Sequence, residues 1–342
     1  MRPASLLRRL VVLGGAATVG RGIARRRRLV ADVPSELRTP LLYLPGSFDA
    51  RSIGAVRWLT ARAPFPAPTG ATVTERTAPR RDGGEVRVLV YEPEGPRTRP
   101  SGALLWMHGG GMIFGVPEQG HETCAHLARE LGIVVASVDY RLAPEHPFPA
   151  PLDDCMDALA WLHEQAGELG VDTARVAVGG DSAGGGLAAA VSLRAHDEGA
   201  PPVAFQLLLY PMIDDRTVLR DGPDTLVWSR ASNRFGWTSY LDRPPRWDDA
   251  PEYAAPARCE DLAGLPPAWI GVGDIDLFHD EDVDYARRLR EAGVPCELHV
   301  VTGMFHAADG LVPRAASSVD FRDRITEALR PAVGSTPAAA PR

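Results

Sequence analysis

Gly180-Asp181-Ser182-Ala183-Gly184 is the stretch of this chain that decides its fold. It follows the apolar run at residues 176–178 and leads into small, apolar residues, so Ser182 lies where a predicted strand turns sharply into a predicted helix. Glycines beside such a serine permit close backbone approach and expose the hydroxyl, and the N–H groups at the start of the helix point toward it. The stretch predicts a nucleophilic serine, although so short a motif needs support from its context.

A glycine-rich loop supplies part of that context. His108-Gly109-Gly110-Gly111 directly follows a predicted strand at residues 103–107. Consecutive glycines let several backbone N–H groups turn toward one point, and a developing tetrahedral oxyanion needs such donors. The loop therefore predicts an oxyanion site in front of the serine.

A nucleophilic serine also needs a base and an acid. The best-placed histidine is His306, in a loop after the last predicted strand, and His279 is its competitor. Asp274, Asp276 and Asp280 all follow the predicted strand at residues 268–272, so each of them is a candidate for the acid that orients the base. Serine, aspartate and histidine in this chain order are typical of α/β-hydrolase folds.

Composition and charge exclude several classes of function. All 37 basic residues counted as lysine or arginine are arginine, which rules out a lysine Schiff base, a pyridoxal-phosphate anchor and a P-loop. The net charge is −7 although eight arginines and no acid occur in the first 30 residues, so the body of the chain is acidic. An acidic body argues against a nucleic-acid partner, because phosphate binding needs clustered positive charge.

Strand-like and helix-like segments alternate along the chain, as a mostly parallel sheet covered by helices requires. The predicted strands are residues 86–91, 103–107, 133–138, 175–178, 205–210, 268–272 and 297–301, and the predicted helices are residues 122–131, 152–165, 185–196 and 280–292. We divide the chain into an N-terminal basic segment and cap at 1–70, a hydrolase core at 71–210, a cap or excursion at 211–267, core again at 268–330, and a disordered tail at 331–342. For residues 211–267, an irregular surface segment packed on the body is the equal alternative to a cap.

The N-terminus permits two interpretations. Arg8 and Arg9 precede a short apolar run, as in a twin-arginine export signal, but the consecutive arginines at 25–28 follow and no clear cleavage site is present. We favour an amphipathic helix that contacts a membrane weakly or covers the active site. The four cysteines lack metal-ligand spacing and are expected to be free thiols, so a cytoplasmic location is favoured over export.

No cofactor or metal site is expected. The stretch 271–276 begins like a dinucleotide-binding fingerprint but lacks its last glycine. Asp280, Asp282 and Asp284 imitate a calcium loop, yet Tyr285 stands where that loop needs glycine.

Taken together, the motifs resemble those of the hormone-sensitive-lipase-like family of α/β-hydrolases. The stretches that carry the resemblance are HGGG at 108–111, DYRLAPEHPFPAP at 139–151, GGDSAGG at 179–185, and the acid-bearing stretch 273–281 with GMFH at 303–306. The resemblance implies an α/β-hydrolase fold, a mostly parallel central sheet with helices on both faces and a helical cap.

The same resemblance implies the site residues. Asp276 is selected as the acid, giving a triad of Ser182, Asp276 and His306, with oxyanion donors at Gly110, Gly111 and Ala183; Leu277 stands where the family has proline. The implied function is hydrolysis of small to medium acyl-chain esters of small molecules through an acyl-enzyme. Apart from the resemblance, a homodimer is the assembly considered. The alternatives are a non-catalytic small-molecule receptor on the same fold, or lactone cleavage, amide cleavage or dehydration by the same triad.

Overall fold

A single eight-stranded sheet organises the structure, a computed structural model that describes residues 26–43, 47–95 and 97–334. The strands are β1 (Ala71–Pro79), β2 (Glu85–Pro93), β3 (Ser101–Met107), β4 (Val134–Asp139), β5 (Val171–Asp181), β6 (Phe205–Leu209), β7 (Ala268–Gly273) and β8 (Cys296–Val301). They lie in the order β1-β2-β4-β3-β5-β6-β7-β8. β2 pairs antiparallel with both its neighbours, and every other neighbouring pair is parallel. The predicted α/β-hydrolase fold class is therefore confirmed.

Helices cover both faces of this sheet. After residue 50, the α-helices are α1 (Ile53–Thr60), α2 (His121–Leu131), α3 (Ala150–Glu164), α4 (Ala166–Leu169), α5 (Ala183–Glu198), α6 (Arg230–Leu241), α7 (His279–Glu291), α8 (Ala308–Leu311) and α9 (Ala316–Val333). Shorter 3-10 turns occupy Ser35–Leu37, Pro40–Tyr43, Pro117–Gly120, Asp215–Val218 and Pro256–Arg258. Leu105 and Met107 of β3 pack in one core with α3, α5 and α7, and Leu104 and Trp106 pack in a second core with α2 and α9. No described helix is long and apolar enough to span a bilayer.

The edge strand β1 and the helix α9 were not predicted from the sequence. β1 is an edge strand with mostly exposed residues, so it lacks the apolar run that marks the buried strands. α9 buries Phe321, Ile325 and Leu329, which recur every four residues as a helix requires. This helix continues to Val333, three residues into the stretch predicted to be a disordered tail, and residues 335–342 lie outside the described residues.

The described part of the N-terminal segment packs into the second core. Val30, Val33, Leu37 and Leu42 are buried in the same core as Phe305, the residue next to His306. Pro34 packs so closely on Gly303 that a Cβ at that glycine would collide with its ring. The N-terminal segment therefore supports the loop that carries His306. The predicted export signal or amphipathic helix falls in residues 1–25, outside the described residues.

The excursion at residues 211–267 contains α6, and its Trp228 packs against Gly111 in the loop after β3. Its Trp228, Trp237 and Tyr240 are buried, whereas Trp247 is 58% exposed. Ser47 and Phe48 of the N-terminal segment bind the start of α6: Ser47 Oγ lies 3.1 Å from Ser229 Oγ, and Phe48 N donates to Ser232 Oγ at 2.9 Å. The two predicted cap segments are thus joined to each other.

Candidate active site

Ser182 occupies the turn between β5 and α5 with φ 55° and ψ −118°, outside the conformations that an L-residue usually adopts. Its N–H donates to Leu209 O at 2.8 Å and its carbonyl accepts from Met212 N at 2.9 Å, so the end of β6 holds the turn. A Cβ at Gly180 would collide with the backbones of Met107 and Gly184. The glycine at this position is therefore required by close packing, as the motif predicts.

The turn brings Ser182 next to His306 and Asp276. Ser182 Oγ lies 2.9 Å from His306 Nε2, and His306 Nδ1 lies 2.8 Å from Asp276 Oδ2. All three residues are at most 6% exposed. The other oxygen of Asp276 accepts from Phe278 N at 3.0 Å, which fixes the carboxylate toward the imidazole. This arrangement is the geometry of a serine nucleophile, its base and an orienting acid.

The competing acids and base lie elsewhere. Asp274 accepts from Gly303 N at 2.6 Å, so it braces the loop that leads to His306. Asp280 has a 90% exposed side chain and lies 2.9 Å from His279 Nδ1. His279 therefore faces the surface of α7 and does not reach Ser182.

The glycine loop is braced by two buried side chains. Gly110 and Gly111 have φ 121° and 61°, conformations that favour glycine. Tyr140 donates its hydroxyl to His108 O at 2.6 Å and its ring stacks on the imidazole of His108 at 4.3 Å between centroids. Burial lowers the pKa of His108 to about 4, so this imidazole stays neutral near pH 7 and supports the loop without adding charge.

Asp181 links the glycine loop to the serine turn. This role was not predicted, although Asp181 stands directly before Ser182 in the serine motif. Its carboxylate accepts from Gly109 N at 3.1 Å. Burial and the charge of Asp309 raise its pKa to about 7. Asp309 in turn accepts from the Tyr210 hydroxyl at 2.9 Å, and burial raises its pKa as well. A pair of carboxyl groups thus flanks Ser182 and His306.

Three aromatic rings surround His306. Tyr210, Phe278 and Trp228 have centroids 4.9, 5.2 and 6.4 Å from the imidazole centroid. Such rings exclude water from the imidazole and restrict its orientation. Gly111 also lies against Trp228, because a Cβ there would collide with the indole ring.

The described residues hold no group of three or more histidine, cysteine or acidic side chains arranged for a metal ion. The acidic residues that imitate a calcium loop diverge: Asp282 is buried, Asp284 pairs with Arg287, and Asp280 is exposed. All four cysteines are free, with Cys124 and Cys155 buried.

Comparison with known proteins agrees with the fold. A family model described as alpha/beta hydrolase fold matches residues 104–309, which include the glycine loop, the serine turn and the loop of His306. The chain is an α/β-hydrolase.

Named relatives of this α/β-hydrolase are esterases. The chain is 36% identical over 250 residues to the esterase LipI of Mycobacterium tuberculosis, covering 71% of this chain and 76% of that protein. It is 38% identical over 256 residues to the carboxylic ester hydrolase LipN of the same organism, covering 72% of this chain and 67% of that protein. Among solved structures, a bacterial heroin esterase matches with a TM-score of 0.81 and 40% identity, covering 89% of this chain and 99% of the other.

Proposed function

We propose that this α/β-hydrolase hydrolyses carboxylic esters of small to medium acyl chains, with Ser182 as nucleophile, His306 as base and Asp276 as orienting acid. The observation that carries the proposal is the unbroken contact from Ser182 Oγ through both nitrogens of His306 to Asp276, at 2.9 and 2.8 Å. We also infer that the chain belongs to the hormone-sensitive-lipase-like group of the family, on the basis of its glycine loop and serine motif.

The reaction runs in two halves. Asp276 accepts a hydrogen bond from Nδ1–H of His306, so Nε2 is free to take the Ser182 hydroxyl proton as Oγ attacks the ester carbonyl, and the carboxylate stabilises the imidazolium that forms. The tetrahedral intermediate then collapses, its C–O bond to the alcohol breaks, and His306 returns the proton to the departing alcohol. A water molecule, deprotonated by His306, releases the acid from the acyl-enzyme by the same steps.

Gly110, Gly111 and Ala183 are the donors proposed for the oxyanion. Ala183 is the first residue of α5, where the helix leaves backbone N–H groups without helical acceptors. Gly110 and Gly111 belong to the loop that Tyr140 and Asp181 hold through His108 and Gly109. One donor of this kind contributes about 3 to 4 kcal/mol to the transition state.

The principal alternative is a receptor on the same fold that binds a small molecule without turning it over. Intact contacts among Ser182, His306 and Asp276 favour catalysis. Lactone or amide cleavage and dehydration could use the same residues, and a substrate panel separates them from ester hydrolysis. The four free thiols support a reducing, cytoplasmic setting for the enzyme.

A p-nitrophenyl ester panel of rising acyl length tests this function, together with labelling by a fluorophosphonate. We expect turnover highest for short and medium chains, labelling at Ser182, and loss of both in Ser182→Ala. Asp276→Asn should keep its fold and lose about 10⁴-fold in kcat, because the imidazole tautomer is no longer fixed.

The matched control is Asp280→Asn, which removes a carboxylate from the adjacent exposed position and should leave kcat unchanged. Negligible turnover of every ester by the wild type would contradict the proposal, and absence of labelling would favour the receptor.

A further inference from the structure

The backbone directly before Trp228 adopts an unusual conformation. Trp228 N donates to Leu226 O at 2.7 Å, a bond that closes a three-residue γ-turn around Val227. Val227 has φ 65°. A β-branched residue at positive φ is strained, by about 1 to 3 kcal/mol, and persists only where the surroundings hold it. The packing of Trp228 must therefore stabilise the fold enough to offset the strain at Val227.

Contacts of the buried indole ring supply this stabilisation. Trp228 is 3% exposed, and its Nε1 donates to Asn233 Oδ1 at 3.2 Å. Its ring lies against Phe48 of the N-terminal segment at 5.8 Å between centroids and near Phe114 at 6.5 Å, while those two rings are 4.9 Å apart. The indole is thus clamped between the N-terminal segment, the loop that follows HGGG, and the start of α6.

The clamped ring faces the reacting groups on two sides. One edge lies against Gly111, where the ester carbonyl oxygen would be bound, and the ring centroid lies 6.4 Å from the imidazole centroid of His306, with the two ring planes tilted by 38°. His306 gives its proton to the alcohol oxygen as the ester cleaves. A ring that reaches from the oxyanion glycine to the imidazole therefore borders the side of the substrate on which the alcohol lies.

Resting on the proposed ester hydrolysis, we infer that Trp228 is the residue that limits the size of the alcohol half of the substrate. Asn233, Phe48 and Phe114 hold the indole in this position. Esters of small or slender alcohols fit beside the ring, and esters of broad alcohols collide with it.

Acetate esters of phenol and of 1-naphthol test this inference, because they keep the acyl group constant and change only the breadth of the alcohol. In the series Trp228→Phe, Trp228→Leu and Trp228→Ala, the ratio of kcat/KM for naphthyl to phenyl acetate should rise stepwise, by at least about tenfold in the alanine variant. The acyl-length profile with p-nitrophenyl esters should keep its shape. Trp247→Ala, which removes an exposed indole from the same cap segment, should leave both profiles unchanged.

The possible results distinguish a failure of this inference from a failure of the proposed ester hydrolysis. An unchanged ratio in variants that still hydrolyse phenyl acetate would overturn the inference alone. An altered acyl profile with an unchanged alcohol ratio would also overturn it, because the ring would then border the acyl group. Absence of ester turnover in the wild type would overturn the proposed function and this inference with it. The conservative Trp228→Phe variant keeps the test decisive should the alanine variant fold poorly.

Discussion

Backbone strain in this hydrolase is concentrated around the candidate site. Among the described residues, seven other than glycine have positive φ. Five of them adjoin the catalytic groups: Met112 after Gly111, Ser182 itself, Tyr210 against His306, Val227 before Trp228, and Ala307 after His306. Such conformations are tolerated only where the surroundings over-determine them, so the rigidity of the neighbouring sheet is what makes this site geometry possible.

Asp282 presents a buried carboxyl without a compensating contact. It is 0% exposed, and neither of its oxygens has a hydrogen-bond partner within the described part of the chain. Burial, with smaller contributions from the charges of Glu281 and Asp276, raises its pKa well above the ordinary value of 3.8. The folded protein therefore holds a proton that the unfolded chain releases at lower pH.

This difference predicts the pH dependence of stability. As pH rises above 3.8, the unfolded state is increasingly favoured by ionisation of Asp282, so this residue progressively lowers the free energy of unfolding. Asp282→Asn should remove that loss, and its advantage over the wild type in urea unfolding experiments should grow as the pH is raised from about 4 toward neutrality. Asp280→Asn, on the exposed side of α7, should follow the wild type at every pH. Parallel curves for Asp282→Asn and wild type would show that the buried carboxyl does not titrate this way.

At the scale of single elements, Arg57 joins helix α1 to the core, where Ile53 of the same helix is also buried. Arg57 donates to Ile113 O at 2.6 Å, to Glu145 at 2.7 Å and to Ala143 O. Ile113 lies two residues beyond Gly111, so this guanidinium connects the cap with the segment that carries the proposed oxyanion donors. Its planar, multiple-donor geometry suits three acceptors at once.

Arg57→Ala should therefore loosen α1 and disturb the glycine loop. We expect faster amide hydrogen exchange across α1 and a fall of about tenfold in kcat/KM, because part of the loop's support is removed. Arg62→Ala provides the control, since the Arg62 guanidinium lies over the exposed ring of Trp58 at 4.6 Å and should change neither quantity. Unaltered exchange in Arg57→Ala would mean that apolar packing alone holds the helix.

Buried strands could be predicted from the sequence more accurately than exposed ones. Strands such as β3 and β7 are buried on both faces and therefore appear as continuous apolar runs, and the predicted bounds differ from the observed ones by at most two residues. β1 has mostly exposed side chains and left no such pattern. Ser182 and His306 could be proposed from their residue types and chain order, whereas those left three aspartates open and the choice of Asp276 rested on the family resemblance. The position of Trp228 could not be predicted, because it depends on a positive φ at valine that no local preference favours.

At the scale of the whole molecule, the first described residues belong to the core. Leu37 is 0% exposed and packs with the residues beside His306, whereas Leu41 in the same segment is 53% exposed. Leu37→Ala should lower the free energy of unfolding by about 2 to 5 kcal/mol, from lost burial and a cavity, and lower activity by loosening the loop of His306. Leu41→Ala should change stability by less than about 0.5 kcal/mol. If Leu37→Ala and Leu41→Ala lowered the free energy of unfolding equally in chemical denaturation, this segment would not be part of the cooperatively folded core.

The 124 residues that separate Ser182 from His306 have a consequence for the order in which a new molecule becomes active. Domains assemble during synthesis from the N-terminal side at about 5 to 20 residues per second, so the serine leaves the ribosome roughly 6 to 25 seconds before its base. During that interval the chain has a nucleophile without the imidazole that would activate it. Esterase activity thus arrives late in synthesis, only after the last strand and its loop have joined a sheet that is largely complete.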